Sequence, residues 1–160
     1  MTQKYAAKLI DLIERSPNEL ARQWCRDVKN NPRTPFFHSI SDDELLPLAT
    51  EFYGRVREIF YADQPAEIAQ RVFGKYAVER YKQKVPLEEA LYALILMRRH
   101  IWLYAEFQAL FISAMDLQFA VESLNRTILI FDYATYVVTV RYQSLLHADM
   151  EKRLGVTWER

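Results

Sequence analysis

The sequence has little cysteine and glycine, and it has no net charge. Cys25 is the one cysteine among 160 residues, so an internal disulfide bond is excluded, and a lone thiol is typical of a reducing compartment such as the cytoplasm. Three glycines are too few for a glycine-rich phosphate-binding loop. Because the formal net charge is zero and no basic stripe stands out, we expect no nucleic-acid partner.

Long apolar runs are also missing. The most apolar stretch, residues 87–115, is interrupted by charges and predicts a buried helix, with no membrane span. Lys8, Asp11 and Glu14 break any apolar run near the N-terminus, so we expect no signal peptide. What the sequence does have is 51% hydrophobic and 14% aromatic residues, which is enough to build one folded domain over residues 1–160.

Helix start signals recur along the chain and predict an all-α fold. Ser16-Pro17-Asn18-Glu19 and Ser41-Asp42-Asp43-Glu44 have the capping-box pattern, and Gly155 is a good C-terminal stop. Asp116 is the predicted cap of the last helix. We predict a bundle of about six helices, ending in a long one, with an extended loop over residues 30–40. The predicted helices cover about residues 3–14, 17–30, 42–61, 65–83, 86–112 and 116–152.

The predicted last helix carries a heptad pattern that favours a homodimer. Apolar residues recur at spacings of four and three, and a second apolar set (Leu129, Tyr133, Tyr136, Val140) follows a neighbouring face. A helix that is apolar over so wide an arc must bury two faces. Five of the six residues 135–140 are β-branched, which predicts a kink there. The expected interface residues are Leu117, Val121, Leu124, Ile128, Phe131, Val138, Tyr142 and Leu145.

Motifs for catalysis or metal binding are missing. The sequence has no His-Glu-x-x-His, no Cys-x-x-Cys and no Gly-x-Ser-x-Gly, so we predict neither an enzyme nor a metal site. His100 is either an axial haem ligand in a helical pocket or a core-edge histidine bonded to a carbonyl group. Cys25 is either a redox-sensitive thiol beside Arg26 or a small buried hydrophobic residue. Asp132 is expected to be buried against an arginine, Arg99 or Arg126, or against a tyrosine hydroxyl group.

Two further features leave alternatives open. Gly54 and Gly74 lie inside predicted helices, where they indicate either tight helix packing or the close approach of a backbone, ligand or cofactor. Aromatic residues crowd the fifth predicted helix, either as core packing or as the lining of an apolar cavity for a small molecule. These residues are Tyr92, Trp102, Tyr104, Phe107 and Phe111.

The order of several short segments resembles the N-terminal sensor domain of RsbT co-antagonist (RsbRD) proteins. The first segments are Leu20-Ala-Arg-Gln-Trp24, Val28, Pro32-Arg-Thr-Pro35 and Ser41-Asp-Asp-Glu-Leu45. They are followed by Phe73-Gly-Lys-Tyr-Ala77 with Arg80, by Val85-Pro-Leu-Glu-Glu89, and by Leu124-Asn-Arg126 with Asp132 and Tyr136. The resemblance covers about residues 9–143 and depends on the order and spacing of these segments.

This resemblance implies an all-α, globin-like fold without haem and a dimeric input module for stress signalling. The family's last helix passes the signal to a downstream protein, and the family has no catalytic residues to assign here. In stressosome proteins a phosphorylatable C-terminal domain follows the sensor domain, whereas this sequence stops at Arg160. We therefore expect either an isolated input module or an output carried by a separate partner.

Overall fold

Every regular element of the computed structural model is a helix within the residues that it describes, 3–107 and 113–155. The all-α prediction is confirmed: the chain folds as a helical bundle that ends in one long helix. The α-helices are α1 (Gln3–Arg15), α2 (Pro17–Asn30), α3 (Asp42–Gly54), α4 (Val56–Phe60), α5 (Pro65–Lys82), α6 (Leu87–Phe107) and α7 (Ala114–Leu154).

The observed helices differ from the predicted ones mainly in two places. The helix predicted at 42–61 is divided at Arg55 into α3 and α4. The loop predicted at 30–40 contains a short 3₁₀ helix, Pro35–Ser39, because Pro35 has the backbone angle that a helical first turn needs. Residues 108–112 of the fifth predicted helix lie outside the described residues.

None of the three predicted N-caps (Ser16, Ser41 and Asp116) caps its helix as predicted, whereas the predicted C-terminal stop at Gly155 is confirmed. Ser16 and Ser41 precede α2 and α3, but neither side chain accepts a hydrogen bond from the helix backbone. The capping box forms at α7 instead, where the cap is Ser113 and Asp116 is the third helical residue. Asp116 N–H donates to Ser113 Oγ at 3.0 Å, and Ser113 N–H donates to Asp116 Oδ2 at 3.1 Å. Gly155 ends the helix with φ of +64°, as predicted.

Neither internal glycine is needed for close packing against the described residues, so the prediction of tight helix packing is wrong. A Cβ atom at Gly54 would meet nothing within 4 Å, and one at Gly74 would meet only the Gln70 side chain at 3.9 Å. Gly54 instead ends α3, where the chain turns into α4.

The α7 helix is continuous through the segment for which a kink was predicted. It has 41 residues, which corresponds to about 60 Å. Thr135 Oγ1 donates to Phe131 O at 2.9 Å, and Thr139 Oγ1 donates to Thr135 O at 2.8 Å. These bonds satisfy both hydroxyl groups within the helix, so β-branched residues are accommodated without breaking it.

The core lies where α5, α6 and α7 pack together, with α2 and α3 against α6. The rings of Phe52, Phe73 and Phe131 join α3, α5 and α7, with centroids 5.7 to 6.2 Å apart. Two buried hydrogen bonds fix the helices on α6: Trp24 Nε1 donates to Ala93 O at 2.8 Å, and Tyr53 Oη donates to Met97 O at 3.0 Å. Among the helices in the described ranges, none combines the length and apolarity that a membrane crossing requires.

Candidate functional site

An apolar cavity of about 160 Å³ lies between α3, α4, α5 and α6, and we call it the α3–α5–α6 cavity. Its floor consists of the apolar residues Phe52, Ile59, Phe73, Leu94 and Met97, all of which are buried. Tyr76 also lines it and donates its hydroxyl hydrogen to Ala90 O at 2.8 Å, so the ring faces the cavity with its polar end already satisfied. The floor therefore offers van der Waals contact and few free polar groups.

The mouth of the cavity is charged but balanced. Lining residues Arg55 and Arg71 both pair with Glu58, at 2.9 and 2.8 Å, and Arg55 also lies 3.6 Å from Glu51. A second pair, Lys75 with Glu79, spans 4.0 Å. These groups are exposed, so each pair adds little to stability. Because the charges neutralise one another, the mouth does not select a strongly charged ligand.

The size of the cavity restricts what it can hold. A volume of about 160 Å³ is below the roughly 300–1,000 Å³ of pockets for drug-sized ligands. It is close to the roughly 150 Å³ apolar cavity that binds benzene or xenon in an engineered protein. The cavity therefore fits a small, uncharged, apolar molecule.

Behind Tyr76 lies a buried arginine, Arg80, that forms no ion pair with any of the described residues. Arg80 is 5% exposed, and its Nε and Nη1 atoms have no hydrogen-bond partner in the described part of the chain. Burial raises the pKa of both Tyr76 and Tyr142, and the positive charge of Arg80 opposes that rise in each case. Arg80 thus lies between the cavity, which Tyr76 lines, and α7, which carries Tyr142.

The predicted interface on α7 is divided between two environments. Leu117 and Val121 are 58% and 57% exposed, and Leu124 and Ile128 are 40% and 37% exposed. We call these four residues the α7 stripe. Phe131, Val138 and Tyr142 are instead buried in the chain's own core, which corrects the prediction for these three. Leu145 is half-buried.

The division has a geometric cause. A strict heptad repeat drifts by about 20° per heptad around a straight α-helix. Over four heptads the predicted seam therefore rotates from the outer flank of α7 into the face that packs on α5. Over residues 114–129 of α7, the buried residues are Ser123 and Thr127. Polar side chains lie inward there while the apolar α7 stripe lies outward.

His100 does not line the apolar cavity. Its Nε2 atom is 2.9 Å from Asp27 Oδ2, so the ring pairs α6 with α2 at the edge of a separate, open groove. A carbonyl group was predicted as the hydrogen-bond partner of His100 at the core edge, whereas the observed partner is the carboxylate of Asp27. One ring nitrogen is already engaged, and this geometry does not fit an axial haem ligand in the apolar cavity.

The remaining candidate residues are placed as follows. Cys25 is buried, and this burial raises its thiol pKa to about 11, which favours the hydrophobic interpretation over a reactive thiol. Asp132 is exposed, so the prediction of a buried carboxylate is wrong. In the described ranges, no group of three or more His, Cys, Asp or Glu side chains is arranged to hold a metal ion.

The aromatic residues singled out in the sequence are not those that line the cavity. Tyr92 stacks under Arg33, 5.6 Å from ring centroid to guanidinium carbon, and Tyr104 lies beside His100. Phe107 and Phe111 have no described side chains. The cavity rings come from α3 and α5, and the spacing of Phe73 and Tyr76 on one face of α5 was the available signal.

No protein-family model, curated protein or solved structure matches this chain. The resemblance to the sensor domains of co-antagonist proteins therefore stays a prediction that depends on the segments quoted above.

Proposed function

We propose that the chain is a non-enzymatic signalling input domain that forms a homodimer and relays a signal through α7 to a downstream protein. A small, uncharged, apolar ligand in the α3–α5–α6 cavity is the input. The family resemblance supports this role, and with it a globin-like domain without haem that acts in the cytoplasm in a stress response. The helical bundle and its long last helix are compatible with such a domain.

The observation that carries the proposal is the inverted polarity of residues 114–129 of α7. Ser123 and Thr127 are buried, whereas Leu117 and Val121 are more than half exposed. A contiguous exposed apolar stripe on a long helix is typical of an interaction surface. A second α7 from another copy offers the same stripe, and a two-fold pair of helices buries both at once.

A haem-binding sensor that uses His100 is the alternative, and it has less support. His100 is paired with Asp27 and lies away from the apolar cavity. Titration with haemin distinguishes the two: an absorption band of bound haem that disappears in His100→Ala favours the alternative. A protein that stays colourless contradicts it.

Native mass spectrometry of the purified protein tests the proposal. We expect a mass near 38 kDa, twice the 19.0 kDa of one chain, at micromolar concentration. A small adduct that leaves on mild activation identifies the cavity ligand. A mass of 19.0 kDa at every concentration contradicts the dimer, and an adduct of the mass of haem favours the alternative.

A further inference from the structure

A second surface lies at the far end of α7 and is distinct from both the cavity and the α7 stripe. An open groove of about 840 Å³ runs between the last turns of α7 and the connection from α5 to α6. On α7 it extends over the twelve residues from Tyr142 to Arg153, about 16 Å of helix. This is the length of about three turns of a second helix.

The groove has an apolar floor. Val85 and Tyr142 are buried beneath it, Leu145 and Met150 are half-buried along it, and Leu146 is 49% exposed. The floor is fixed from below, since Tyr142 Oη donates to Val85 O at 3.2 Å and the ring of Tyr142 packs edge-on against Tyr81 at 5.5 Å. An apolar helix face laid on this floor would find a rigid surface.

The rim of the groove is positively charged. Lys82, Lys84 and Arg153 line it and are exposed, and none of them has an ion-pair partner among the described residues. The one carboxylate in the lining, Asp149, accepts a hydrogen bond from Tyr81 Oη at 2.8 Å. Among the described residues, the rim therefore has three cations without an ion pair and one anion that already accepts a hydrogen bond, which favours an acidic occupant.

The backbone at Lys84 is a second, independent observation. Lys84 has φ of +64°, the left-handed region that favours glycine, and it is the one residue other than glycine with this feature among the residues described. Its N–H donates to Tyr81 O at 2.9 Å and the N–H of Val85 donates to Arg80 O at 3.0 Å, which together form a Schellman motif at the end of α5. The fold alone favours glycine at this position. A lysine there costs stability and brings a positive charge to the rim.

We infer that this groove docks an acidic amphipathic helix of the downstream partner, with apolar residues on the floor and Asp or Glu side chains against Lys82, Lys84 and Arg153. Recognition of this kind is the helix-in-groove mode. The inference deepens the proposed function and rests on it for the existence of a downstream partner. Arg80 lies between the two surfaces. Its guanidinium group lies over the ring of Tyr76, which lines the cavity, and its charge opposes the rise that burial causes in the pKa of Tyr142, which lines the groove.

The test uses three labelled helical peptides of about 14 residues. The first has Leu at helical spacing with Glu on both flanks, the second has Lys in place of Glu, and the third is a scramble of the first without an apolar face. Binding to the full chain is measured by fluorescence anisotropy, and the contact surface is mapped from amide chemical shifts. We expect the acidic amphipathic peptide to bind at least about tenfold more tightly than either of the others, with shifts at Leu145, Leu146 and Met150.

Three variants make the result specific. Leu146→Asp should abolish binding, whereas Leu129→Asp, a matched change at an exposed leucine elsewhere on α7, should not. Lys84→Gly should weaken binding several-fold and at the same time raise the melting temperature by about 2–4 °C. Weaker binding by a more stable protein cannot be explained by unfolding.

Several outcomes would overturn the inference: equal binding of the acidic and basic peptides, equal effects of Leu146→Asp and Leu129→Asp, or unchanged affinity in Lys84→Gly. Self-association that Leu146→Asp abolishes would assign the groove to a second copy and also overturn it. The proposed function fails separately: a monomeric protein that still binds the acidic peptide contradicts the dimer and leaves the groove intact.

Discussion

The guanidinium carbon of Arg80 lies 5.5 Å from the centroid of the Tyr76 ring, and both side chains are buried. Within the residues described, this ring is what Arg80 has in place of a carboxylate. A cation over an aromatic face gains about 2 kcal/mol when desolvated, whereas burying an unpaired charge costs several kcal/mol. The buried Arg80–Tyr76 pair therefore lowers the free energy of unfolding, and it does so at the position between the cavity and α7.

Replacing Arg80 should stabilise the fold. Arg80→Met keeps the length of the side chain and removes the buried charge, and we expect the free energy of unfolding to rise by about 1–3 kcal/mol. Chemical denaturation measures the change. Arg71→Met is the matched control, because Arg71 is exposed and its pairing with Glu58 is worth less than about 1 kcal/mol. Loss of stability in Arg80→Met would show that Tyr76 fully compensates the charge.

Gly74 should tolerate alanine with a gain in stability. Its missing Cβ atom has no close neighbour, and alanine restricts the unfolded chain more than glycine does. We expect Gly74→Ala to raise the free energy of unfolding by about 0.5–1 kcal/mol. The same substitution at Gly155, where φ is +64°, should lower it. A destabilised Gly74→Ala variant would indicate that something approaches α5 closely at this position.

Alkaline pH should unfold the protein, because a buried thiol and two buried tyrosine hydroxyl groups ionise more readily in the unfolded chain than in the folded one. Burial raises the pKa of Cys25 from 9.0 to about 11, and it raises the pKa of Tyr53 and Tyr76 above 10.0. A raised folded-state pKa contributes stability that is fully present below the unfolded value and is lost as the pH rises through the folded value. We therefore expect stability to fall above pH 9.0, the unfolded value of the thiol.

Tyrosinate absorbance measures this effect directly. The buried tyrosines Tyr53 and Tyr76 should ionise together with loss of helix signal by circular dichroism. Tyr136→Phe is the control, since it should leave the unfolding pH unchanged. If all ten tyrosines titrate near pH 10.0 in a folded protein, the burial of Tyr53 and Tyr76 is contradicted.

Filling the cavity should block ligand binding. Val72 lines the α3–α5–α6 cavity, and Val78 lines a shallow groove on the same helix. Val72→Phe should abolish the binding of benzene or xenon, which wild-type protein should bind because the cavity has a matching volume. Val78→Phe should not. Calorimetry with benzene checks both, and equal binding by the two variants would contradict the assignment of the cavity as the ligand site.

Much of the fold could be predicted because helix boundaries are local. Pro17 and Pro65 begin α2 and α5, and Gly155 ends α7, so each boundary depends on a few neighbouring residues. The division between α3 and α4 at Arg55 was not predicted, since Gly54 also suited a continuous helix. The capping hydrogen bonds predicted at Ser16 and Ser41 do not form, because the capping-box sequence does not fix the serine side-chain rotamer that such a bond requires.

The cavity could not be predicted in the same way. Phe52, Phe73 and Met97 lie on three helices, and only tertiary packing brings them together. Periodicity on α7 placed Phe131 and Val138 in the predicted interface, whereas both are buried in the chain's own core, since a heptad count ignores the drift around a straight helix. The burial of Ser123 and Thr127 contradicts the simple rule that polar residues face solvent, and no feature of the neighbouring sequence predicts it.

The measurement that tests the central claim most directly is the mass in solution of Ile128→Lys, by light scattering at micromolar concentration. Ile128 belongs to the exposed α7 stripe, so a lysine there leaves the monomer folded and places a charge in the interface. Tyr136→Lys is the control on another exposed face of α7. Val138→Lys does not serve, since Val138 is fully buried and its variant would unfold.

We predict a dimer near 38 kDa (2 × 19.0 kDa) for wild type and for Tyr136→Lys, and a folded monomer near 19.0 kDa for Ile128→Lys. Circular dichroism confirms that the monomer keeps its helices. A dimeric Ile128→Lys, or a wild type that is monomeric at every concentration, would contradict a dimer held by the α7 stripe.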